Sequence, residues 1–166
     1  GVREVAPDGR SASFTDGSSL DADIIITVPV HRVAGVVGES GVTGGKPWVP
    51  VNAATLETAT PGVFAIGDVN AVMMGNGRPM PKAGLFASSE GETAARLIAS
   101  RILGSGPPPA FAGEGKCFLA YSGTQSGGIS GSFLVPGGPK VRLDPPSRSG
   151  MRAKERFELD WRRFRI

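Results

Sequence analysis

The chain has one cysteine, one histidine and one tyrosine among its 166 residues. A single thiol, Cys117, excludes an internal disulfide within these residues. No run approaches the roughly 18 to 20 consecutive apolar residues of a membrane span, and no signal peptide is visible. Aromatic residues make up only 7% of the chain, and no aromatic-basic interleaving accompanies its positive charge, so nucleic acid is not expected as a partner. Gly1 is not an initiator residue, so the chain is expected to be a mature product, an engineered piece or a fragment.

Glycine and proline are abundant instead, at 25 and 14 residues, well above their usual combined share of about 12%. Apolar runs persist between them, which implies many turns and close backbone approaches rather than disorder. At this length about 70% of the unfolded surface can be buried, enough for a core. The net charge of +3 is uneven: residues 140–166 hold nine Lys/Arg against four Asp/Glu, and the remainder is slightly acidic. A basic tail of this kind suits anionic lipid, a cofactor phosphate or a protein partner.

The chain is organised around Thr60 to Val69, TPGVFAIGDV. Thr60-Pro61-Gly62 is turn chemistry. Val63 to Ile66 is a short β-biased run, expected as a strand buried on both faces. Gly67 ends it and lets a ligand approach the backbone. Asp68 follows at the carboxyl end of the strand, where open α/β sheets place their ligands.

Upstream, Val2–Val5 and Ser11–Thr15 flank Pro7-Asp8-Gly9 as a hairpin, and Asp16-Gly17 makes the next turn. Ile24 to Val28 is expected as a buried strand. His31 lies in the following loop and reads as a loop histidine bonded to backbone rather than an acid–base group. Residues 33–45 are irregular with a short helical turn, and Trp48 to Asn52 is extended. Residues 71–80 form a loop able to cover a ligand, with Met73-Met74 as core filling.

Pro81 to Gly84 opens a helix that Gly104 caps and Pro107-Pro108-Pro109 prevents from continuing. Ala87, Gly91, Ala94, Ile98 and Ile102 predict its buried face. Glu90 and Glu92 early, with Arg96 and Arg101 late, agree with the helix dipole. Residues 104–115 read as a linker. Cys117 to Gly123 predicts a strand and turn, Gly127-Gly128 a connection, and Ile129 to Val135 a return strand, in a set of two or three antiparallel strands. Cys117 taken alone is a small buried hydrophobe. Met151 to Ile166 is a basic amphipathic segment, with Phe157, Trp161 and Phe164 at helical spacing. It is expected to pack on its own protein or a second subunit, or to lie on a membrane surface.

The Thr60–Val69 motif, with the helix after it, resembles the second flavin-binding motif of two-dinucleotide-binding-domain flavoproteins. That family includes pyridine nucleotide–disulfide oxidoreductases, sulfide:quinone oxidoreductases, flavocytochrome c sulfide dehydrogenases and type II NADH dehydrogenases. The resemblance is strongest from Asp23 to Ile102 and covers only the carboxyl-terminal portion of such a protein. No G-x-G-x-x-G follows a predicted strand, so the grip on the adenosine end belongs to chain upstream.

The resemblance implies an α/β fold, α+β within these residues: a partial Rossmann-like FAD-binding domain with a β-meander and a small antiparallel carboxyl-terminal segment. Residues 1–28 would end an NAD(P)-binding-like domain, 29–104 would close the FAD-binding domain, and 105–166 would form an interface domain. Asp68 would bond the ribityl chain of FAD, and Gly67 and the amides near Asp68 and Val69 would face the pyrophosphate. Lys82, Ala83 and Gly84 would meet the N1–O2 edge of the ring, Lys154 would approach the flavin, and Cys117 would be a redox thiol.

The implied activity is electron transfer through FAD, from sulfide or a thiol to a quinone or another acceptor. An NAD(P)H-oxidising dehydrogenase, in which Cys117 is a bystander, is the enzymatic alternative. A non-catalytic dimerisation module is the other. The implied partners are the amino-terminal half of the same protein, the electron acceptor, a second copy and a peripheral membrane contact through 151–166. The implied location is cytoplasmic or peripheral to a membrane. The isolated chain is expected to be inactive.

Overall fold

A computed structural model describes residues 1–163, with the side chain of residue 163 excepted; Phe164, expected on the amphipathic face, lies outside them. Helices and small sheets mix in an α+β arrangement. The chain divides into two compact units, Gly1–Arg32 and Val33–Ile166.

The first unit is an antiparallel meander of β1 (Val2–Val5), β2 (Ser11–Phe14) and β3 (Ser19–Asp21). Its turns follow from sequence. Asp8 Oδ1 accepts the Arg10 amide at 3.0 Å beside Gly9, and Asp16 Oδ1 accepts the Ser18 amide at 3.0 Å and hydroxyl at 2.7 Å beside Gly17. The Ser18 bonds hold the Asp16 carboxyl below its ordinary range.

The expected strand at Ile24–Val28 does not form. The last rung is Ala22 N–H to Arg10 carbonyl at 2.8 Å, and residues 23–33 make no further backbone hydrogen bond among the described residues. Ile24, Ile26 and Val28 are 77%, 91% and 81% exposed. A run apolar on both faces needs strands beside it and cover on each side. Three short strands offer neither. His31 is also exposed and bonds nothing among the described residues, contrary to the backbone bond expected of it.

The second unit begins with α1 (Gly35–Glu39) and β4 (Val49–Pro50). The core gathers Leu56, Val72, Met74, Met80, Phe86 and Phe111. Burying a side chain such as Leu56 contributes roughly 1.5–3 kcal/mol. Val63–Ile66 is not a doubly buried strand. It is one arm of a tight hairpin around Gly62, paired with residues 56–58 through Thr58 N–H to Val63 O (2.8 Å) and Ala65 N–H to Leu56 O (3.2 Å). Ala65 is buried while Val63 and Ile66 stay exposed. A 3-10 turn, Gly67–Val69, leads to β5 (Asn70–Ala71), which pairs in parallel with β4.

Residues 71–80 form a second small hairpin rather than a covering loop, closed by Met74 N–H to Arg78 O and Met80 N–H to Val72 O, both 2.8 Å. Met74 points into the core and Met73 outward.

Helix α2 (Gly84–Leu103) ends as expected at Gly104, φ +65°, whose N–H donates to Ser100 O. Its buried face differs from the expected one. Phe86, Glu90, Ala94, Leu97 and Ser100 are buried, whereas Ile98 is 41% and Ile102 77% exposed. Turning Phe86 and Leu97 inward fills the core, and Glu90 goes with them. The segment after α2 packs Phe111 into that core, with its N–H on Ala54 O at 2.9 Å.

The carboxyl-terminal sheet runs β6 (Glu114–Ala120), β7 (Ser126–Ser132) and β8 (Lys140–Leu143), antiparallel throughout. β7 starts three residues before the expected return strand. Gly127 and Gly128 pair inside the ladder, because a Cβ on Gly127 would meet Asp144 O at 2.5 Å. The turn falls instead on 121–125, where Ser122 Oγ takes the Thr124 and Gln125 amides. Helix α3 (Arg148–Arg163) lies on β6 and β7, with the Phe157 ring 5.6 Å from Phe118 and 6.0 Å from Trp161. The amphipathic segment is therefore engaged with its own sheet.

Glu57 clamps the first hairpin to the end of α2. Its two oxygens accept Arg101 Nη1 and Nη2 at 2.7 Å each, and Oε1 also accepts the Gly62 amide at 2.8 Å. These bonds hold the Glu57 carboxyl down at about 2, against an ordinary 4.5. A carboxyl lowered by folding adds stability above its unfolded value and loses it as pH falls towards its folded one. Arg101→Met is expected to melt at lower temperature than wild type above pH 4.5, with the gap closing as pH falls to about 2, read by thermal unfolding across that range.

Candidate functional site

The site grows from the geometry of one glycine. Gly67 sits at φ +71°, in the left-handed region, and a Cβ there would lie 3.2 Å from the Ala87 Cβ of α2. Gly91, one turn further, gives the Ile66 side chain similar room, at 3.4 Å. Small residues on this side of α2 let the 3-10 turn lie against the helix. The missing side chain of Gly67 serves that approach rather than a ligand's.

Its amide is also spoken for. Gly67 N–H donates to Glu90 Oε2 at 2.5 Å, so it does not face a diphosphate. Asn70 Nδ2 donates to the same oxygen at 2.8 Å and to Ala65 O at 3.1 Å. The Asn70 carbonyl in turn accepts Lys82 Nζ, and the ammonium lies 4.8 Å from the centroid of the Trp48 ring, a cation–π arrangement. Strand end, turn, helix and the Pro81–Ala83 segment are thereby tied through one carboxylate and one amide.

Burial pushes the Glu90 carboxyl up, against the pull of the Gly67 and Asn70 donors and of Lys82. Burial likewise pushes the Lys82 ammonium down, against the attraction of Asp68 and Glu90. Both groups bear the cost of leaving water, and each is the other's partial compensation.

Around this knot lies a shallow cleft bordered by Asp68, Lys82, Ala83, Phe86 and Glu90. Its enclosed volume is about 10 Å³, roughly the room one water needs. It is a polar cradle at the surface and not a deep pocket. Asp68 is exposed on it, and Val69 is half-buried in the same turn. Ala83 is the extended residue before α2, with no side-chain cap, and Gly84 is exposed with open space around its Cα. The leading amides of a 20-residue helix are therefore uncapped by any side chain at this edge. A larger groove of about 220 Å³ runs between α2 and residues 109–113, but none of the sequence-predicted residues lines it.

The structure thus brings Gly67, Asp68, Lys82 and Ala83 to one cleft, with Gly84 next in chain. Cys117 is placed by register. On β6, Gly115 lies under the Phe86 ring with no room for a Cβ, and Cys117, two residues on, shares that face of the strand. Its side chain is exposed, contrary to the buried hydrophobe read from the residue alone, and Sγ–H reaches only the Phe118 carbonyl, at 3.8 Å. Phe118 lies on the opposite face, against α3. Lys154 belongs to α3 and is ion-paired with Glu158, so it is not brought to the cleft.

Glu90, Asn70 and Trp48 are the residues that sequence reasoning missed. One signal was present: Glu90 interrupts the spacing Phe86, Ala94, Leu97, where a charge on an otherwise apolar row marks a specific partner. Among the described residues no helix is long and apolar enough to cross a membrane, and no group of three His, Cys, Asp or Glu is placed to hold a metal ion.

Gly67→Ala is expected to destabilise the chain by roughly 1–2 kcal/mol through its backbone conformation alone, and further through the Ala87 contact. Thermal unfolding of Gly67→Ala, Ala87→Gly and the double variant checks this: the double variant should recover part of the loss. No protein-family model matches the chain.

Proposed function

We propose that the chain is the carboxyl-terminal portion of an FAD-dependent oxidoreductase near the sulfide:quinone branch, with its Rossmann-like sheet and its adenosine grip completed by chain outside these residues. The observation that carries this reading is the convergence of Asp68 and the uncapped start of α2 on one cleft, from two segments that the flavin motif treats separately. The residues fit the group. Asp68 offers an exposed carboxylate to ribityl hydroxyls, and the α2 terminus offers free amides and the helix dipole to an anionic ring edge.

When bound, the flavin supplies two-electron chemistry. The chain's own residues do the remaining work. Asp68 would orient the ligand by accepting hydrogen bonds from its hydroxyls. The Lys82 ammonium, held by the Asn70 carbonyl, adds positive charge beside the amino end of α2, where negative charge is to be stabilised. Cys117, exposed on the face of β6 that carries Gly115 against Phe86 and outside the lining of the cleft, would be the redox thiol of this reading.

In the full-length protein, Asp68→Ala is expected to weaken FAD binding roughly 10- to 100-fold, the equivalent of one hydrogen bond to a charged acceptor. Titration of the flavin-free protein with FAD, followed by flavin fluorescence, measures it; unchanged affinity overturns the assignment. The isolated chain is expected to hold no stoichiometric flavin, and a stable yellow spectrum from it would contradict that. Cys117→Ser should abolish flavin reduction by sulfide and spare any reduction by NADH, in a stopped-flow comparison of the two donors. Loss of neither places the thiol outside the chemistry.

A further inference from the structure

Glu90 is the buried titratable group to which the flavin reading gives no task. It is 3% exposed, and so is Asn70. A single oxygen, Glu90 Oε2, receives the Gly67 amide at 2.5 Å and the Asn70 side-chain amide at 2.8 Å. Gly67 immediately precedes Asp68, and the Asn70 carbonyl holds Lys82. One carboxylate therefore touches the residue next to the proposed ribityl ligand and is one residue removed from the proposed ring contact.

We propose that Glu90 is a positioning residue: its carboxylate oxygen fixes the Gly67–Val69 turn and, through Asn70, Lys82, so that Asp68 and the amino end of α2 face the same ligand. The inference rests on the flavin reading and extends it to a residue that touches neither end of the ligand itself.

The chemistry of the acceptor explains the residue type. Two donors converge on one buried point, so the site needs an oxygen with more than one lone pair and no competing proton. An apolar side chain would leave the part-buried Gly67 N–H and one hydrogen of the buried Asn70 amide unpaired. Glycine enters the left-handed region without strain, so its conformation alone does not fix the turn and its surroundings must. Here the surroundings are the Ala87 contact on one side and the Glu90 oxygen on the other. The Asn70 amide is saturated as well, with its second contact on Ala65 O at 3.1 Å. No slack remains for the turn to move without breaking a buried bond.

The test uses the full-length flavin protein with Glu90→Gln, which keeps an acceptor oxygen, and Glu90→Met, which keeps the volume and removes it. Hydrogen exchange of the Gly67 amide in the flavin-free protein and the Kd for FAD are the readouts. Glu90→Gln should keep the Gly67 amide protected and bind FAD within about threefold of wild type. Glu90→Met should speed that exchange and weaken FAD at least tenfold. On the Met background, Asp68→Ala should cost less than it does on wild type, because Asp68 is already misplaced; two independent sites would add. Equal costs on both backgrounds, a Met variant as tight as wild type, or a Gln variant as weak as Met each overturn the proposal. If Glu90→Met does not fold, Asn70→Ala, which removes one donor and leaves the Gly67–Glu90 bond, should weaken FAD binding while the Gly67 amide stays protected; unchanged FAD affinity in that variant overturns the proposal. A wild-type protein that binds no FAD defeats the flavin reading, and the Gly67 exchange rates alone then decide whether Glu90 holds the turn.

Discussion

A buried carboxylate must be given donors, and here it is given two from one short turn. That requirement reaches outward in every direction. It pins Gly67 in a conformation that only glycine adopts comfortably, and sets the distance at which α2 can cross the turn. It holds Asn70 in the two-residue parallel pair of β4 and β5 and, through the Asn70 carbonyl, anchors Lys82 ahead of the helix. Packing then follows the polar knot: with Glu90 turned inward, Phe86 and Leu97 must also face inward, and Ile98 and Ile102 face out.

The features legible in the sequence are those encoded by neighbouring residues. Gly104 in the left-handed region ends α2 where its sequence position says it must. The Asp-Gly turns of the meander form through aspartate oxygens on nearby amides. The TPG turn closes its hairpin. The features that were not legible depend on partners distant in sequence. Apolar spacing selected Ala87, Ile98 and Ile102 as a core face because it scores apolarity and cannot see that Glu90 has donors waiting 20 or more residues upstream. Gly127 and Gly128 looked like a connection because glycine marks both turns and close approaches, and only the presence of Asp144 distinguishes the two. The candidate site divides the same way. Gly67, Asp68 and Lys82 to Gly84 stand out in a contiguous motif, while Asn70, Trp48 and Glu90 acquire meaning only from where the chain returns.

The carboxyl-terminal sheet shows how one strand can serve two purposes. Along β6 the residues alternate between α2 and α3: Gly115 yields to Phe86, and Phe118 meets Phe157. Cys117 lies on the first of these faces and Lys154 belongs to the helix covering the second. A basic amphipathic helix that looks suited to a membrane surface lays Phe157 against Phe118 of a sheet within the same chain.

The unpaired run after β3 has a consequence for the life of the polypeptide. Five consecutive residues, Ile24 to Val28, are all β-branched, mostly apolar and uncharged, and their backbone makes no hydrogen bond among the described residues. Such a stretch is a template for strand addition between molecules and a candidate nucleus for cross-β assembly. Asp21 and Asp23 before it and Pro29 after it are residues of the kind that guard such segments. A partner strand for this run would satisfy a row of its backbone groups at once, which makes its edge the most receptive stretch of the meander unit.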